Sequence, residues 1–435
     1  MEVKSFVELE KALLNQSDTI EITRSFMATH ALILPPHTTL KGIPQENGVI
    51  PTLMFEHTDG VGLTSDNTIT DLNIQTPEAQ KAIFTTGLDE DLGHFEFRHL
   101  KVSGQLLFIM RKGSLKADVV MDDIHVLTSD TRGYLEQPQK YGVNVLQGAL
   151  TIYNFNPNPD SLITMHAEHI SIGTMDHPVT GSGVFVGGFG DNGGRVELDY
   201  LQTDNVYSTG RIPFGVADII TAAIFIVNSV HAKTVQHDGE TITFGVNDMV
   251  LDAWGVVDEW LINGPVISYG PSGVGFVNFG TVKNFIATAP IETYGLGARG
   301  YNQYDGTLEH GEFADIRTYG DGSVGVQVSK KIGNITIHGN IETQGGLGNS
   351  LVKGVNVELP AYALSIKDGG YVDKIEVSGD IKTNGDEVTT FVMEDGGEIN
   401  QMTVQGAITA AGSDSKAYDL DDGAKLGDHD FEIEE

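Results

Sequence analysis

Short segments of alternating apolar and polar residues recur along the chain and are separated by glycine-rich turns. The clearest is a seven-residue unit: GPVISYG (264–270), APIETYG (289–295), ADIRTYG (314–320) and GNIETQG (339–345). These copies begin 25 residues apart. Later copies are GDIKTNG (379–385) and GAITAAG (406–412), and looser copies end at Gly210 and Gly239. Such a period predicts a β-solenoid, because each turn can bury its apolar side only against the next turn.

Alignment of the copies on their final glycine assigns a direction to each column. Four positions earlier stand Val206, Val235, Val266, Ile291, Ile316, Ile341, Ile381 and Ile408. Two positions earlier stand Ser208, His237, Ser268, Thr293, Thr318, Thr343 and Thr383. Because strand side chains alternate with period two, both columns should point inward, as an aliphatic column and a hydroxyl ladder. We interpret His237 as an interior, hydrogen-bonded histidine in place of Ser or Thr.

The pattern predicts an all-β, single-stranded parallel β-helix of about 25 residues per coil, with an N-terminal capping helix. The helix is expected over residues 3–15, where Phe6, Leu9, Leu13 and Leu14 have helical spacing. Four segments follow: 1–45 as the N-terminal cap and first coil, 46–260 as irregular coils with longer loops, 261–418 as regular coils, and 419–435 as an acidic C-terminal cap or tail.

Composition narrows the classes of partner. The chain has 60 acidic and 26 basic residues, a net charge of −34, and no cysteine. The charge opposes binding to nucleic acid and to strongly anionic glycans, although a divalent cation such as calcium could reverse it locally. No cofactor is indicated, and disulfides are excluded. No apolar run of about 18 residues and no signal peptide appear, so we expect a soluble protein without membrane insertion. An extracellular or cell-surface location after processing stays open.

The outward positions suggest a binding surface. One position before the repeat glycine stand Asp238, Tyr269, Tyr294 and Tyr319, and three positions before it stand Ile267, Glu292, Arg317 and Glu342. Our hypothesis is that sugar rings stack on Tyr269, Tyr294 and Tyr319 while Glu292 and Arg317 bind their hydroxyl groups. The alternative is that these side chains only stabilise neighbouring strands, by roughly 0.2–1 kcal/mol for each pair.

Two groups of residues are weak catalytic candidates. Glu292 and Glu342 should lie two coils, or roughly 10 Å, apart, near the upper limit for an inverting glycosidase. An ion-pair ladder with Arg317 explains them more simply. The second group is Arg211, Lys233 and Asp238, near Asp218 and Tyr207, where a base and an acid on neighbouring turns would suit a lyase or hydrolase. The alternative is that they are surface charges.

Several motif-like patterns carry no predicted function. Gly295, Gly297 and Gly300 satisfy G-x-G-x-x-G but open no helix. His166 and His169 have a spacing that metal ligands use, but on a regular strand they should point to opposite faces. The glycine-rich segment GGFGDNGG (187–194) occurs once, whereas calcium-binding repeats need stacked copies. The sequence therefore predicts no metal site.

The coil length, the capping helix and the stacked Ile and Thr columns resemble right-handed parallel β-helix proteins of the pectin-lyase-like superfamily. The resemblance implies polysaccharide lyases, glycoside hydrolases, epimerases, tailspikes or adhesins, and it carries over no catalytic residue. We expect a carbohydrate-interacting β-helix protein with a glycan partner, whether or not it cleaves that glycan by elimination or hydrolysis. The alternative is a non-catalytic structural or adhesive solenoid, and the resemblance leaves homo-oligomer formation open.

Overall fold

The computed structural model describes residues 1–46, 48–352 and 355–433. Their regular structure is one helix, α1 (Phe6–Leu14), and a long series of strands. The first are β1 (Glu2–Val3), β2 (Thr19–Ile22), β3 (Phe26–Ala28), β4 (Leu32–Ile33), β5 (Thr39–Gly42), β6 (Thr52–Phe55), β7 (Val61–Leu63), β8 (Thr68–Thr70), β9 (Asn73–Gln75), β10 (Lys81–Thr85), β11 (Asp91–Ser103), β12 (Gln105–Arg111), β13 (Lys116–Thr128), β14 (Gln139–Lys140) and β15 (Val143–Val145). There follow β16 (Gly148–Phe155), β17 (Leu162–Ile172), β18 (Val179–Thr180), β19 (Ser182–Gly187), β20 (Arg195–Thr209), β21 (Ile219–Ile226), β22 (Val230–His237), β23 (Thr241–Thr243), β24 (Asp248–Ala253), β25 (Val256–Ile262), β26 (Val266–Ser268), β27 (Val274–Asn278), β28 (Thr281–Ala287), β29 (Ile291–Thr293) and β30 (Arg299–Gln303). The last are β31 (Thr307–Phe313), β32 (Ile316–Thr318), β33 (Val324–Val328), β34 (Lys331–Ile337), β35 (Ile341–Thr343), β36 (Leu347–Val352), β37 (Val355–Pro360), β38 (Tyr362–Ile366), β39 (Tyr371–Val377), β40 (Ile381–Thr383), β41 (Thr389–Met393), β42 (Glu398–Val404), β43 (Ile408–Ala410), β44 (Lys416–Leu420) and β45 (Lys425–His429).

The chain divides into two compact units. Unit 1 comprises Met1–Pro138, Leu146–Ser208 and Ile226–Lys233, and unit 2 comprises Gln139–Val145, Thr209–Phe225 and Thr234–Glu435. In each unit, strands of successive coils pair in parallel and leave their apolar side chains in the interior. The expected all-β parallel β-helix with a short N-terminal helix is confirmed.

Unit 1 begins with the predicted helix. The Ser5 hydroxyl accepts a hydrogen bond from the Glu8 backbone N–H, which places Ser5 at the N-cap of α1. Leu9 and Ala12 are buried, and α1 packs against β1 and β3. An apolar helix stripe of this kind covers interior side chains that an end coil would otherwise expose.

The coils of unit 1 contribute strands to two parallel sheets. One runs through β2, β5, β8, β11, β13 and β17, and the other through β4, β7, β10, β12, β16 and β19. Large aromatic side chains fill the space between them, including Phe95, Phe97, Phe108, Tyr153 and Phe185. Parallel pairing of this kind fixes the register, because a shift of one residue would turn these side chains outward.

Unit 2 is more regular and has three strands in each full coil. Ladders run from β25 through β28, β31, β34, β39 and β42 to β45, from β23 through β26, β29, β32, β35 and β40 to β43, and from β24 through β27, β30, β33, β38 and β41 to β44. In the aliphatic column, Ile291 pairs with Ile316, Ile316 with Ile341, and Ile341 with Ile381. All four residues are fully buried. The predicted inward direction of this column is confirmed.

The predicted threonine column is also buried, but its hydroxyls form no continuous chain. Thr243 bonds to Ser268 at 3.3 Å and Thr383 to Thr390 at 2.7 Å. Within the described part of the chain, the hydroxyls of Thr293, Thr318 and Thr343 have no hydrogen-bond partner. These residues therefore fill interior space mainly with their methyl groups, and each leaves a buried hydroxyl at a cost of about 1–3 kcal/mol.

The alignment of the copy ending at Gly239 is wrong. Thr241 pairs with Val266 and Thr243 with Ser268, so the copy before 264–270 is GETITFG, residues 239–245. Gly239 opens that copy, and a Cβ on Gly264 would lie only 1.9 Å from the Gly239 carbonyl oxygen. Val235 and His237 therefore belong to the eight-residue strand β22 rather than to the three-residue strand of the repeat.

The repeat glycines serve close stacking rather than a left-handed backbone. A Cβ on Gly295 would lie 1.8 Å from the Gly270 carbonyl oxygen, and Gly295 does not have a positive φ. Any larger side chain would push adjacent coils apart at this corner.

Two antiparallel hairpins of unit 2 interrupt the parallel pattern. β14 and β15 pair across a turn at Tyr141 and Gly142, both with positive φ, as a type I′ turn requires. β36 pairs with β37, and Ser350 and Leu351 in β36 accept hydrogen bonds from the buried Arg299 guanidinium.

The acidic C-terminal segment contains regular strand. β44 pairs with β41, and β45 pairs with β42, so residues through His429 extend the coils of unit 2. The final two residues of the segment 419–435 lie outside the described residues. None of the helices in the described part of the chain is long and apolar enough to cross a membrane.

Candidate functional sites

Four aromatic side chains form a row on the outward surface of unit 2, which we call the aromatic row: Phe244, Tyr269, Tyr294 and Tyr319. Each follows a three-residue strand of its coil. Successive ring centroids are 5.6, 5.1 and 4.4 Å apart, with interplanar angles of 20°, 25° and 3°. The stacking of the three tyrosines follows the predicted column, and Phe244 occupies the position that the sequence assigned to Asp238.

The stacking determines which part of each ring reaches solvent. Neighbouring rings cover both faces of Tyr269 and Tyr294, yet these residues are 43% and 39% exposed. Their ring edges and hydroxyl groups therefore form the accessible surface. A sugar ring stacked flat on either tyrosine, as the sequence hypothesis has it, would have to displace a neighbouring ring.

A charged column borders the aromatic row. Glu292 pairs in register with Arg317, and Arg317 with Glu342. Glu292 accepts hydrogen bonds from the hydroxyls of Tyr294 and Tyr319, at 3.2 and 3.4 Å, and from Arg317 at 3.5 Å. Burial and the Glu292 carboxylate raise the pKa of Tyr294 to about 12, which keeps its hydroxyl a donor at neutral pH.

The proposed catalytic carboxylates are engaged in contacts between coils. Glu342 accepts hydrogen bonds from Gln344 at 2.9 Å and from Asn384 at 2.7 Å. Glu292 and Glu342 lie one coil on either side of Arg317, which also pairs with Asp315 at 3.2 Å. Glu292 is thus ion-paired with Arg317 and Glu342 is held by two amide groups, and catalytic roles for Glu292 and Glu342 stay a prediction.

The residues of the second predicted catalytic group are divided between the two units, and their joint catalytic action stays a prediction. Lys233 of unit 1 pairs with Asp199 at 2.7 Å. In unit 2, Asp238 accepts hydrogen bonds from Gln236 and Asn263. Arg211 and Asp218 are exposed in the segment between β20 and β21.

His237 is the interior histidine that the sequence predicts. It is fully buried, and the Trp260 indole N–H donates to its Nε2 at 2.8 Å. Burial lowers the pKa of His237 to about 3, so the ring is neutral at physiological pH. Its role is therefore structural, although its column differs from the predicted one.

Sequence reasoning missed a surface of unit 1 that we call the histidine–carboxylate face. In five pairs there, the imidazole Nδ1 faces a carboxylate oxygen: His94–Asp118 at 2.7 Å, His99–Asp71 at 2.9 Å, His166–Asp199 at 3.4 Å, His169–Asp122 at 2.9 Å and His231–Glu197 at 3.0 Å. A carboxylate on Nδ1 orients the ring and fixes its tautomer, as it does in metal and catalytic sites.

The prediction that His166 and His169 point to opposite faces is wrong. Both side chains are outward and are 39% and 59% exposed. His169 has a φ of 55°, which inserts an extra outward residue between Glu168 and the buried Ile170. A left-handed residue of this kind shifts the inward–outward alternation by one position.

A sequence signal for this shift exists. The pairs Arg98–His99, Asp122–Asp123 and Glu168–His169 each place two polar residues directly before a buried aliphatic residue. The second residue of each pair has a φ between 51° and 55°. Three interruptions at one position of aligned strands mark a shared extra outward residue, and they place Asp122, Glu168 and His169 within ligand distance of one another.

Two buried carboxyl groups lie on β24 of unit 2, and the sequence analysis did not single them out. Asp248 accepts hydrogen bonds from the backbone N–H groups of Gly210 and Gly245 and from the Thr221 hydroxyl. Burial nevertheless raises its pKa to about 6. Burial raises the pKa of Asp252 well above its ordinary value, against a smaller opposing effect of the Trp254 indole.

Comparisons with models of known protein families, with curated proteins and with solved structures find no match. A functional assignment for this chain therefore depends on the geometry of its own surfaces.

Proposed function

We propose that this chain is a carbohydrate-interacting β-helix protein that binds a neutral or weakly charged polysaccharide along the aromatic row. The observation that supports it is the row itself, in which Tyr269 and Tyr294 keep about two fifths of their surface exposed despite stacking. The resemblance to pectin-lyase-like β-helix proteins supports it further, because that architecture commonly carries glycan-binding surfaces.

The contact would run along the ladder rather than into a pocket. Four successive coils each supply one aromatic edge, so an extended chain laid along the row meets a strip of four ring edges. Glu292 and Arg317 lie beside the strip and supply acceptors and donors for sugar hydroxyls. The strongly acidic composition favours a neutral glycan over an anionic one.

A more specific version of this proposal is that the protein also cleaves the glycan. Its candidates are Glu292 and Glu342 beside the row, and Arg211, Lys233 and Asp238 elsewhere. The protein is incubated with neutral and uronate polysaccharides, with and without calcium. Mass spectrometry of the soluble products then distinguishes elimination from hydrolysis. A new end lacking the mass of water would indicate elimination, and a full-mass end would indicate hydrolysis.

A non-catalytic structural or adhesive solenoid is the second candidate. The observation in its favour is that every ring of the row stacks on a ring of an adjacent coil. Such stacked pairs contribute about 0.5–1.5 kcal/mol each, so stability alone would account for their presence. Under this candidate the row holds coils together and has no glycan partner.

One pair of variants separates the two candidates. Tyr269→Ala with Tyr294→Ala removes the two exposed rings, and Tyr304→Ala is the matched control, because Tyr304 lies 4.7 Å from Phe279 in another ring pair of unit 2. Affinity electrophoresis through gels containing neutral polysaccharides measures retention. We expect the double variant to lose at least about tenfold in affinity, as removal of two aromatic contacts would produce, and the control to be retained normally.

Two outcomes would count against carbohydrate binding. The first is that wild-type protein migrates freely through every gel of a broad panel. The second is that the double variant is retained as well as wild type while its melting temperature falls, which is the behaviour of a purely structural row.

A further inference from the structure

We propose that Asp122, Glu168 and His169 of unit 1 bind a divalent transition-metal ion. Each offers one ligand atom, and these atoms all lie within 4.8 Å of one another. Across the described ranges 1–46, 48–352 and 355–433, this is the one group of His, Asp and Glu that brings three ligand atoms so close together. The inference concerns unit 1 and does not depend on glycan binding by unit 2.

The backbone builds this arrangement from two adjacent strands. Asp122 on β13 pairs in register with Glu168 on β17, which brings their outward side chains together. His169 follows directly, and its left-handed φ of 55° turns the imidazole to the same outward side. Without that backbone conformation, a regular strand would direct His169 inward and leave only two carboxylates.

The donor set selects the class of metal. One imidazole nitrogen with two carboxylate oxygens is typical of zinc, cobalt and related transition metals. Calcium prefers six to eight oxygen ligands, which this group does not supply. Three protein ligands leave open coordination positions for water or for a small ligand.

Neighbouring groups hold the ligands in place. Arg98 donates to Asp122 Oδ2 at 3.1 Å, while its Nε contacts Glu96, so Asp122 Oδ1 remains directed toward His169. The His169 backbone N–H donates to Gln202 Oε1, and Gln202 in turn donates to Asp204 at 3.1 Å. Such supporting contacts around ligands commonly raise metal affinity 10- to 100-fold.

The charges around the site are mixed. Asp122, Glu168 and Asp204 attract a cation, while the Arg98 guanidinium, 3.1 Å from Asp122 Oδ2, occupies that oxygen and leaves Oδ1 for the metal. His169 Nδ1 and Asp122 Oδ1 are 2.9 Å apart, so a metal ion bound by both would take the place of the hydrogen bond between them.

The His99–Asp71 pair provides a matched control. His99 also has a left-handed φ, 51°, and its Nδ1 lies 2.9 Å from Asp71 Oδ1. It belongs to the same face of unit 1 but not to the three-ligand group. His99→Ala therefore removes an equivalent histidine without removing a proposed ligand.

Cobalt(II) and zinc(II) are the probes for the test. The full chain is titrated with Co²⁺ while its visible absorption is followed, and Zn²⁺ affinity is measured by calorimetry. We expect one site per chain, with Zn²⁺ displacing Co²⁺ and Ca²⁺ failing to do so. His169→Ala, Asp122→Asn and Glu168→Gln should each weaken binding at least about tenfold, and His99→Ala should leave it unchanged.

Two results would overturn the assignment. One is the absence of a stoichiometric Co²⁺ or Zn²⁺ site in wild-type protein at pH 7 to 8. The other is an equal loss of affinity in His99→Ala and His169→Ala, which would indicate diffuse binding by surface histidines. Circular dichroism of every variant distinguishes loss of a ligand from loss of fold.

Discussion

The histidine–carboxylate face of unit 1 and the aromatic row of unit 2 are both outward ladders, but they differ in chemistry. In the aromatic row the contacts are between uncharged rings, and the pKa of Tyr294 is raised to about 12. In the histidine–carboxylate face the contacts join imidazoles to carboxylates, and the pKa of His169 is raised as well. Parallel stacking repeats whichever residue type occupies an outward position, so the same architecture yields a row of stacked, uncharged rings in unit 2 and a face of imidazole–carboxylate pairs in unit 1.

Low pH tests the comparison, because the interior of unit 2 contains a titrating group of its own, His237. Its folded pKa is about 3, against about 6.5 in an unfolded chain. Its stabilisation is present above pH 6.5 and is lost as pH falls toward 3, by about 5 kcal/mol in total. Urea unfolding between pH 3.5 and 7.5 should therefore show a smaller acid-induced loss in His237→Gln than in wild type.

Trp260→Phe is the control for that measurement. It removes the indole donor to His237 but leaves the titrating ring buried, so the acid-induced loss should persist. Equal pH dependence in wild type and His237→Gln would show that His237 does not govern the acid response.

Asp248 should act in the opposite direction. Its folded pKa of about 6 exceeds the unfolded value of about 3.9, so its contribution is present below pH 3.9 and is lost as pH rises to 6. The size is about 3 kcal/mol, and it partly offsets the His237 effect between pH 4 and 6. Removing the titrating carboxyl by Asp248→Asn should therefore expose a steeper acid-induced loss than wild type shows.

Thr221→Val keeps the Asp248 carboxyl and removes one of its donors, so the opposing slope should remain. A pH profile of Asp248→Asn parallel to that of wild type would contradict the assignment.

A smaller effect tests the aromatic row directly. Tyr294 stacks on both Tyr269 and Tyr319, so Tyr294→Ala should lower the free energy of unfolding by about 1–2 kcal/mol. Because the rings are uncharged, the loss should be the same at pH 5.5 and pH 8. Thermal unfolding of this variant beside Tyr304→Ala measures it, and a pH-dependent loss would mean that Glu292 rather than stacking dominates.

The smallest effect belongs to the surface pair His169–Asp122. Because the His169 side chain is 59% exposed, solvent screening limits the pair to less than about 1 kcal/mol. Its folded pKa is raised, so the contribution is present at acidic pH and disappears as pH rises through that pKa. His169→Ala should be slightly less stable than wild type at pH 5.5 in low salt, and equal to it at pH 9.

The sequence predicts the interior of unit 2 better than its register near the middle of the chain. The Ile column from Ile291 to Ile408 is confirmed because each copy keeps an aliphatic residue four positions before its final glycine. The repeat alignment missed the copy at 239–245 because Thr241 stands where an aliphatic residue was expected. Val235 offers an aliphatic residue four positions before Gly239, so the alignment chose Gly239 and omitted Phe244 from the row.

A strict period-two pattern could not predict the histidine–carboxylate face. His169 adopts a left-handed φ, and although histidine is enriched among the non-glycine residues that do so, a single histidine does not predict that conformation. Only comparison of aligned strands shows that His99 and Asp123 share the feature. The row tyrosines needed no such comparison, because regular strands position them.

The β36–β37 hairpin shows how the coils accept added chain. Ile316 and Ile341 are 25 residues apart, whereas 40 residues separate Ile341 from Ile381, yet both pairs remain in register. The extra length leaves the ladder at one corner and returns to it without disturbing the coils on either side. This corner is thus a natural point for inserting a foreign peptide, so that epitopes or enzyme loops could be displayed from the solenoid without redesign of its interior.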